Sequence, residues 1–300
     1  MKKFLLSVMS LAFLAVGANA QQLNRAGFAT SDFKQVSKNF THFSGPKKAE
    51  AQQVLIGLDG SDLSDDSKGI NLAGFPTWQK AEMVLAAMPQ ADLAQFKGYK
   101  LVGFRYAVSA SLGKTPAAVV FVNNGNNISV VTGADLTDYK VCNIENNMIN
   151  INWNVVAYDQ AYTITGNEKE ILFGFEYTQS TAKSGTDYAD ECFPLLLGET
   201  SASYENALLI YGLPANATKE GIYTIAQKAS PEDTTPVFTP AFQMIAETPE
   251  GQTAIIGVTT SNDANATHFY TIDGKQLATP QKGLNIVKMS DGTSRKLMVK

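Results

Sequence analysis

Oxygen-bearing side chains crowd one short stretch of this chain, among them Asp59, Ser61, Asp62, Asp65 and Asp66. Hard cations such as calcium take carboxylate, hydroxyl and carbonyl oxygens from loops of this kind. The EF-hand register fails, because Leu63 stands where the third oxygen ligand belongs and no Glu closes the loop. The stretch reads either as a calcium site formed by Asp59, Asp62, Asp65 and Asp66 or as a solvated turn. Asp187, Asp190 and Glu191 make a second acidic loop with the same two readings.

Hydrolytic chemistry has fewer handholds. A nucleophile needs a base oriented beside it, and the only two histidines are His42 and His268, one in a polar lead-in and one near the tail. G-x-S-x-G, H-E-x-x-H, closely spaced cysteines and a Gly-rich phosphate loop are all missing from the sequence. A glycosidase needs only two carboxylates at a set separation, so Glu170, Glu176, Asp187, Asp190 and Glu191 stay in view. Glu176 stands in the apolar run ILFGFEY, where burial would raise its pKa. The competing reading turns it to solvent or to the rim of a sheet. Taken together these residues argue against an enzyme.

Rings with an apolar face and a polar edge can stack on sugars. Trp78, Tyr177, Tyr188 and Tyr204 flank turn-rich segments and are the ligand-binding candidates, whereas Trp153 stands in a regular strand and reads as core. Cys142 and Cys192 are the only cysteines. They are either a disulfide or two buried thiols; a bridge closing about 50 residues would contribute roughly 4 kcal/mol by restricting the unfolded chain.

The elements that must position these groups begin after a leader. Lys2 and Lys3 precede an apolar run from Phe4 to about Val16, and Ala18 and Ala20 fit the small-residue pattern that signal peptidase cleaves. The run is shorter than the roughly 20 residues a membrane span needs. Residues 1–20 therefore read as a signal peptide, with no transmembrane segment after cleavage. The formal net charge is −4, which loss of Lys2 and Lys3 makes two units more negative. A nucleic-acid binder needs a basic footprint, so that partner is excluded.

Residues 21–50 are a lead-in with one helical spacing around Asp32 to Phe43, where Phe33, Val36 and Phe40 recur at three- and four-residue steps. Val54–Leu58 is the first strand. Trp78 to Met88 fits a strand or a short helix. From Tyr99 onward short apolar runs alternate with Asn, Asp and Gly turns. Ala117–Asn123 and Ile128–Val131 read as a hairpin across the Asn/Gly cluster between them. Ile149–Ala157, Glu170–Tyr177, Phe193–Leu197, Ala207–Tyr211 and Gly221–Ala226 follow as strands. This predicts an all-β fold, a β-sandwich or jelly roll over 51–240, and a small C-terminal β segment or domain over 241–300. A strand pair at Ala241–Ala246 and Thr253–Val258 opens that last part.

Its final residues, FYTIDGKQLATPQKGLNIVKMSDGTSRKLMVK, resemble the short carboxy-terminal segment of many exported Bacteroidetes proteins, through Tyr270, Asp273-Gly274-Lys275, Gly283–Val287 and Lys296–Lys300. Asn285 departs from the usual aromatic. The resemblance implies a β-rich sorting or attachment tail of the type IX secretion kind. Residues 95–180 resemble, more loosely, the jelly-roll modules of adhesins from the same bacteria, through Trp153-Asn154, Tyr162, Ile164, Gly166, Leu172, Gly174 and Phe175, with Ala161 where Pro is usual. That likeness marks fold, and carries function by analogy alone. The expectation is a secreted or cell-surface, non-catalytic, adhesin-like module that recognises an extracellular protein, a glycan or matrix. Calcium is its one candidate cofactor. The alternatives are a carbohydrate-active jelly-roll hydrolase and a structural component of a surface assembly.

Overall fold

A computed structural model of the chain describes residues 24–27, 32–35, 43–44, 53–65, 67–145, 148–228, 234–249, 266–271, 276–277, 283–289 and 294–299. The leader, His42, Asp66 and the expected strand at Thr253–Val258 lie outside them. The chain divides into two units, Met1–Ile256 and Gly257–Lys300. Both are built from β-strands, in several mainly antiparallel sheets.

The largest sheet has seven strands, in spatial order Asn24–Gly27, Gly221–Ala226, Leu208–Leu213, Lys80–Pro89, Glu170–Glu176, Ala117–Asn123 and Ile128–Asp135. Its central strands are apolar on both faces. Val84, Ala86, Val120, Phe173 and Ile210 belong to one buried cluster. Leu85, Val119, Phe121, Leu172 and Leu209 belong to another. Burial on both sides explains why AAVVFVN is a continuous apolar run and not an alternating one. The hairpin that ends this strand is set by its turn. Gly125 takes φ +88, a conformation Gly adopts without steric cost, and its N–H donates to Asn123 Oδ1 at 2.8 Å.

A second sheet runs Asn154–Thr163, Lys100–Tyr106, Phe242–Glu247, Gln53–Gly57. Its side chains Phe104, Tyr106, Phe242, Met244 and Ile56 join the same buried cluster as Val84 and Phe173. Rings from the two sheets touch: Phe175 and Phe242 have centroids 4.9 Å apart, Tyr106 and Phe175 6.1 Å. Such pairs contribute about 0.5–1.5 kcal/mol each beyond their burial. A third sheet, Val237–Pro240, Leu195–Thr200, Ile70–Ala73, Phe33–Gln35, and a small one, Asn143–Glu145, Met148–Asn152, Phe43–Ser44, enclose a further apolar cluster that includes Trp153, Phe193 and Leu196.

Several expectations change. Phe33–Gln35 is a strand paired with Asn71–Ala73, not part of a helix; an edge position in a sheet overrides a weak three-to-four spacing. Trp78 to Met88 resolves as the strand Lys80–Pro89, held between two neighbours. Ile149–Ala157 is two strands in different sheets, broken at Trp153. Phe242–Glu247, assigned on the sequence to the C-terminal part, lies between Lys100–Tyr106 and Gln53–Gly57. The body of the first unit therefore extends past residue 240. The second unit is one antiparallel sheet, in order Gln276–Leu277, Ala266–Thr271, Gly283–Met289, Ser294–Val299, with its strands where the turn spacing of the tail puts them.

Candidate binding surface

Register assigns the face of the second sheet that points away from the shared core. One row across it is Gly57, Gln243, Arg105, Val155; the next is Leu55, Ile245, Gly103, Ala157. Arg105 is a charge inside the apolar strand KLVGFRY, and only 5% of it is exposed. Its guanidinium carbon sits 3.7 Å from the centre of the Trp153 ring, and its Nη1 donates to Gln243 Oε1. Burial brings its pKa down to about 10, while the Asp62 charge works in the opposite direction. It therefore stays cationic at neutral pH.

The acidic loop closes over one end of this row. Ser61 N–H donates to the Leu58 carbonyl at 3.0 Å, and Ser61 Oγ occupies the space that a side chain at Gly57 would need. Gly60, at φ +79, and Gly198 approach so closely that a Cβ on Gly60 would strike the Glu199 carbonyl oxygen and one on Gly198 the Gly60 carbonyl oxygen. The Gly69 N–H donates to Glu199 Oε2 at 2.7 Å. These contacts fix the loop against the strand Leu195–Thr200.

Within the loop the carboxylates serve its own turns. Asp59 is ion-paired with Lys68 at 2.9 Å. Asp62 accepts from Ser64 N–H at 3.1 Å and Ser64 Oγ at 2.7 Å. Asp65 accepts from Ser67 N–H at 2.9 Å and from Ser67 Oγ. This is the Asx-turn chemistry that Asp favours in loops. Among the described residues no three His, Cys, Asp or Glu are grouped to hold a metal ion; Asp66 lies outside them. In the second acidic loop Asp190 pairs with Lys34, and Glu191 Oε1 accepts from Ser180 Oγ at 3.2 Å.

The four ring candidates separate. Trp78 is 5% exposed, packed edge-on between Phe75 and Tyr223, and Tyr177 is 6% exposed, packed edge-on to Phe175. Both rings face the core and offer no open face to a sugar. Tyr188 is half-buried, with Lys183 Nζ 4.8 Å from its ring centre. Tyr204 is half-buried and its hydroxyl donates to Asp92 Oδ2 at 2.9 Å. Trp153 is buried, in line with its reading as core. Cys142 and Cys192 are both buried free thiols in one apolar cluster. Glu176 is half-buried, and burial first, then the Glu82 charge, hold its carboxyl above the ordinary range.

Three large apolar side chains stay exposed among the described residues: Val141, Met148 and Val155. All fall between 141 and 155, around Trp153. Asn152 Nδ2 donates to the Val141 carbonyl at 2.7 Å, and Val155 lies directly across from Arg105. Sequence reasoning missed this group. The available signal was a charge, Arg105, and an amide, Gln243, each in the middle of an apolar strand. Comparison with protein-family models, curated proteins and solved structures finds no match.

Proposed function

We propose that the chain is an exported, non-catalytic recognition protein of the cell surface or extracellular space, with protein, glycan or matrix as its ligand. In this reading the two larger sheets pack as a β-sandwich of the jelly-roll kind. The ring contacts between Phe175, Phe242 and Tyr106 support that packing. The leader supplies export, and the small four-stranded C-terminal unit is the sorting or attachment piece.

The observation that carries the recognition reading is the exposed side chain of Val155, directly across from the Arg105 that stacks on Trp153. Exposed apolar side chains rimmed by polar groups are how proteins present contact surfaces, and rigid strands hold such a surface in place. Calcium enters as a brace for the loop holding Asp59, Asp62, Asp65 and Asp66, read as a rise in melting temperature when it is added.

A second reading, a carbohydrate-active hydrolase, draws on Glu176, a carboxyl with raised proton affinity near a second carboxylate, Glu82. Glu82 is ion-paired with Lys80 at 3.0 Å, which suits a structural role better than general acid–base work. Screening the full chain on glycan and matrix-protein arrays, with a polysaccharide hydrolysis assay alongside, separates the readings. Saturable binding without turnover is expected; release of reducing ends overturns the non-catalytic reading.

A further inference from the structure

Among the described residues, the strand Val237–Pro240 is the outer strand of the third sheet, with Leu195–Thr200 on its inner side. In an antiparallel pair the backbone groups of successive residues turn alternately toward the neighbour and away from it. Phe238 turns away. Its N–H donates to Gln227 Oε1, and its carbonyl accepts from Gln227 Nε2, each at 2.8 Å. The outward positions therefore fall at 236, 238 and 240, and two of the three are prolines, Pro236 and Pro240. Proline has no N–H to give to another strand. Across 236–240, Phe238 alone carries an outward N–H.

Gln227 meets that position with matching chemistry. A side-chain amide holds the same C=O and N–H groups as a peptide unit. Two bonds exchanged with one residue reproduce the pattern of a hydrogen-bonded antiparallel pair. Gln227 follows directly on the strand Gly221–Ala226 of the seven-stranded sheet, so a different sheet sets where its side chain starts. Phe238 is buried in the main apolar cluster, which holds its backbone in place from the other side.

An outer strand with open backbone groups is a template for pairing by another chain, and edge prolines blunt it. We propose that Gln227 is an autoinhibitory edge lock. Its amide fills the one donor position that Pro236 and Pro240 leave open, and so keeps Val237–Pro240 from pairing with the same edge of a second copy. This lock goes beyond the recognition reading and does not depend on it.

Variants of the full chain test it. Gln227→Met keeps the side-chain length and removes both hydrogen-bonding atoms. Pro236→Thr, at an exposed position, adds a second outward N–H. Exchange of the Phe238 amide, followed by NMR, should speed up at least about tenfold in Gln227→Met, as loss of a hydrogen bond allows. Gln227→Glu keeps the acceptor and should stay near the wild-type rate. In sedimentation, Gln227→Met combined with Pro236→Thr should form a two-chain species beyond any the wild type shows, with the Phe238 amide protected again. Pro236→Thr alone, its lock in place, should match the wild type. Gln227→Asn, too short to reach, replaces Gln227→Met if that variant does not fold. A Phe238 amide that exchanges no faster without the Gln227 amide overturns the lock. So does a double variant that associates no more than wild type, a two-chain species with the Phe238 amide open, or equal association when Gln227 is kept.

Discussion

Arg105 rests its guanidinium on the face of Trp153, with 3.7 Å between the central carbon and the ring centre. The two residues come from different sheets' neighbourhoods: Arg105 from the second sheet's interior strand, Trp153 from the break between two strands. A desolvated cation over a Trp face contributes about 2 kcal/mol. A double-mutant cycle with Arg105→Met and Trp153→Leu should return a coupling of about 1–2 kcal/mol by urea denaturation. Simple additivity of the two losses would contradict the stack.

Glu168 organises the turn between Thr163 and Glu170. Its carboxylate accepts from Tyr162 Oη, Thr165 N–H and Thr165 Oγ1, each at 2.7 Å, and from Gly166 N–H at 2.8 Å. Burial works to raise its pKa, but these bonds outweigh burial and hold it below the ordinary range. A carboxyl depressed in the folded state stabilises fully above its unfolded pKa, about 4.3, and loses that contribution as pH falls through the folded value. Glu168→Gln should cost about 1.5–3 kcal/mol at pH 7, the range for hydrogen bonds to a charged group. It should also flatten the acid limb of the stability curve, with the difference from wild type shrinking as pH falls below the unfolded value of about 4.3. An unchanged acid slope would count against this role.

Gly198→Ala should cost more than Gly185→Ala, and only the former should disturb the loop. A Cβ at Gly198 strikes the Gly60 carbonyl oxygen, a rigid backbone atom, and overpacking of that kind costs about 1–3 kcal/mol or more. Gly185 has φ +68 with nothing within 4 Å of its Cβ position, so only the left-handed backbone is strained, about 1–2 kcal/mol. Thermal unfolding should rank Gly198→Ala below Gly185→Ala, with hydrogen exchange in residues 59–69 rising only in the former. Equal effects would remove the close approach of Gly60 and Gly198 as the feature that fixes the loop.

Cys142 should be chemically quiet in the folded chain. Its sulfur accepts from Asn152 N–H at 3.3 Å, and burial pushes its pKa up to about 11. The thiolate is the reactive form, so alkylation at pH 8 should be slow until denaturant is added, and intact mass should show two free thiols. Rapid labelling of the native chain at Cys142 would contradict its burial.

Much of the fold was legible because strands after Tyr99 are short, apolar and punctuated. Asn123-Asn124-Gly125 sets a hairpin by local backbone chemistry alone, and Gly221–Ala226 is a strand over the residues its composition marks. What stayed hidden depends on long-range pairing. Phe33–Gln35 is a strand because Asn71–Ala73 offers it an edge, and no local spacing encodes that partner. The break at Trp153 separates two sheets within a run that alternates smoothly. The exposure of single strand residues was least legible, since Val155 and Val156 are the same residue type in adjacent positions. Only register decides that Val155 is exposed and Val156 half-buried against the core.

The most direct measurement compares the full chain with Val155→Asp on glycan and matrix-protein arrays. Val155 is 45% exposed, so the substitution should leave the melting temperature within a degree or two, as surface changes do. The predicted result is saturable binding by the wild type that Val155→Asp weakens at least about tenfold, a loss of roughly 1.4 kcal/mol. Binding unaffected by Val155→Asp, or polysaccharide cleavage in place of binding, would contradict recognition through this surface.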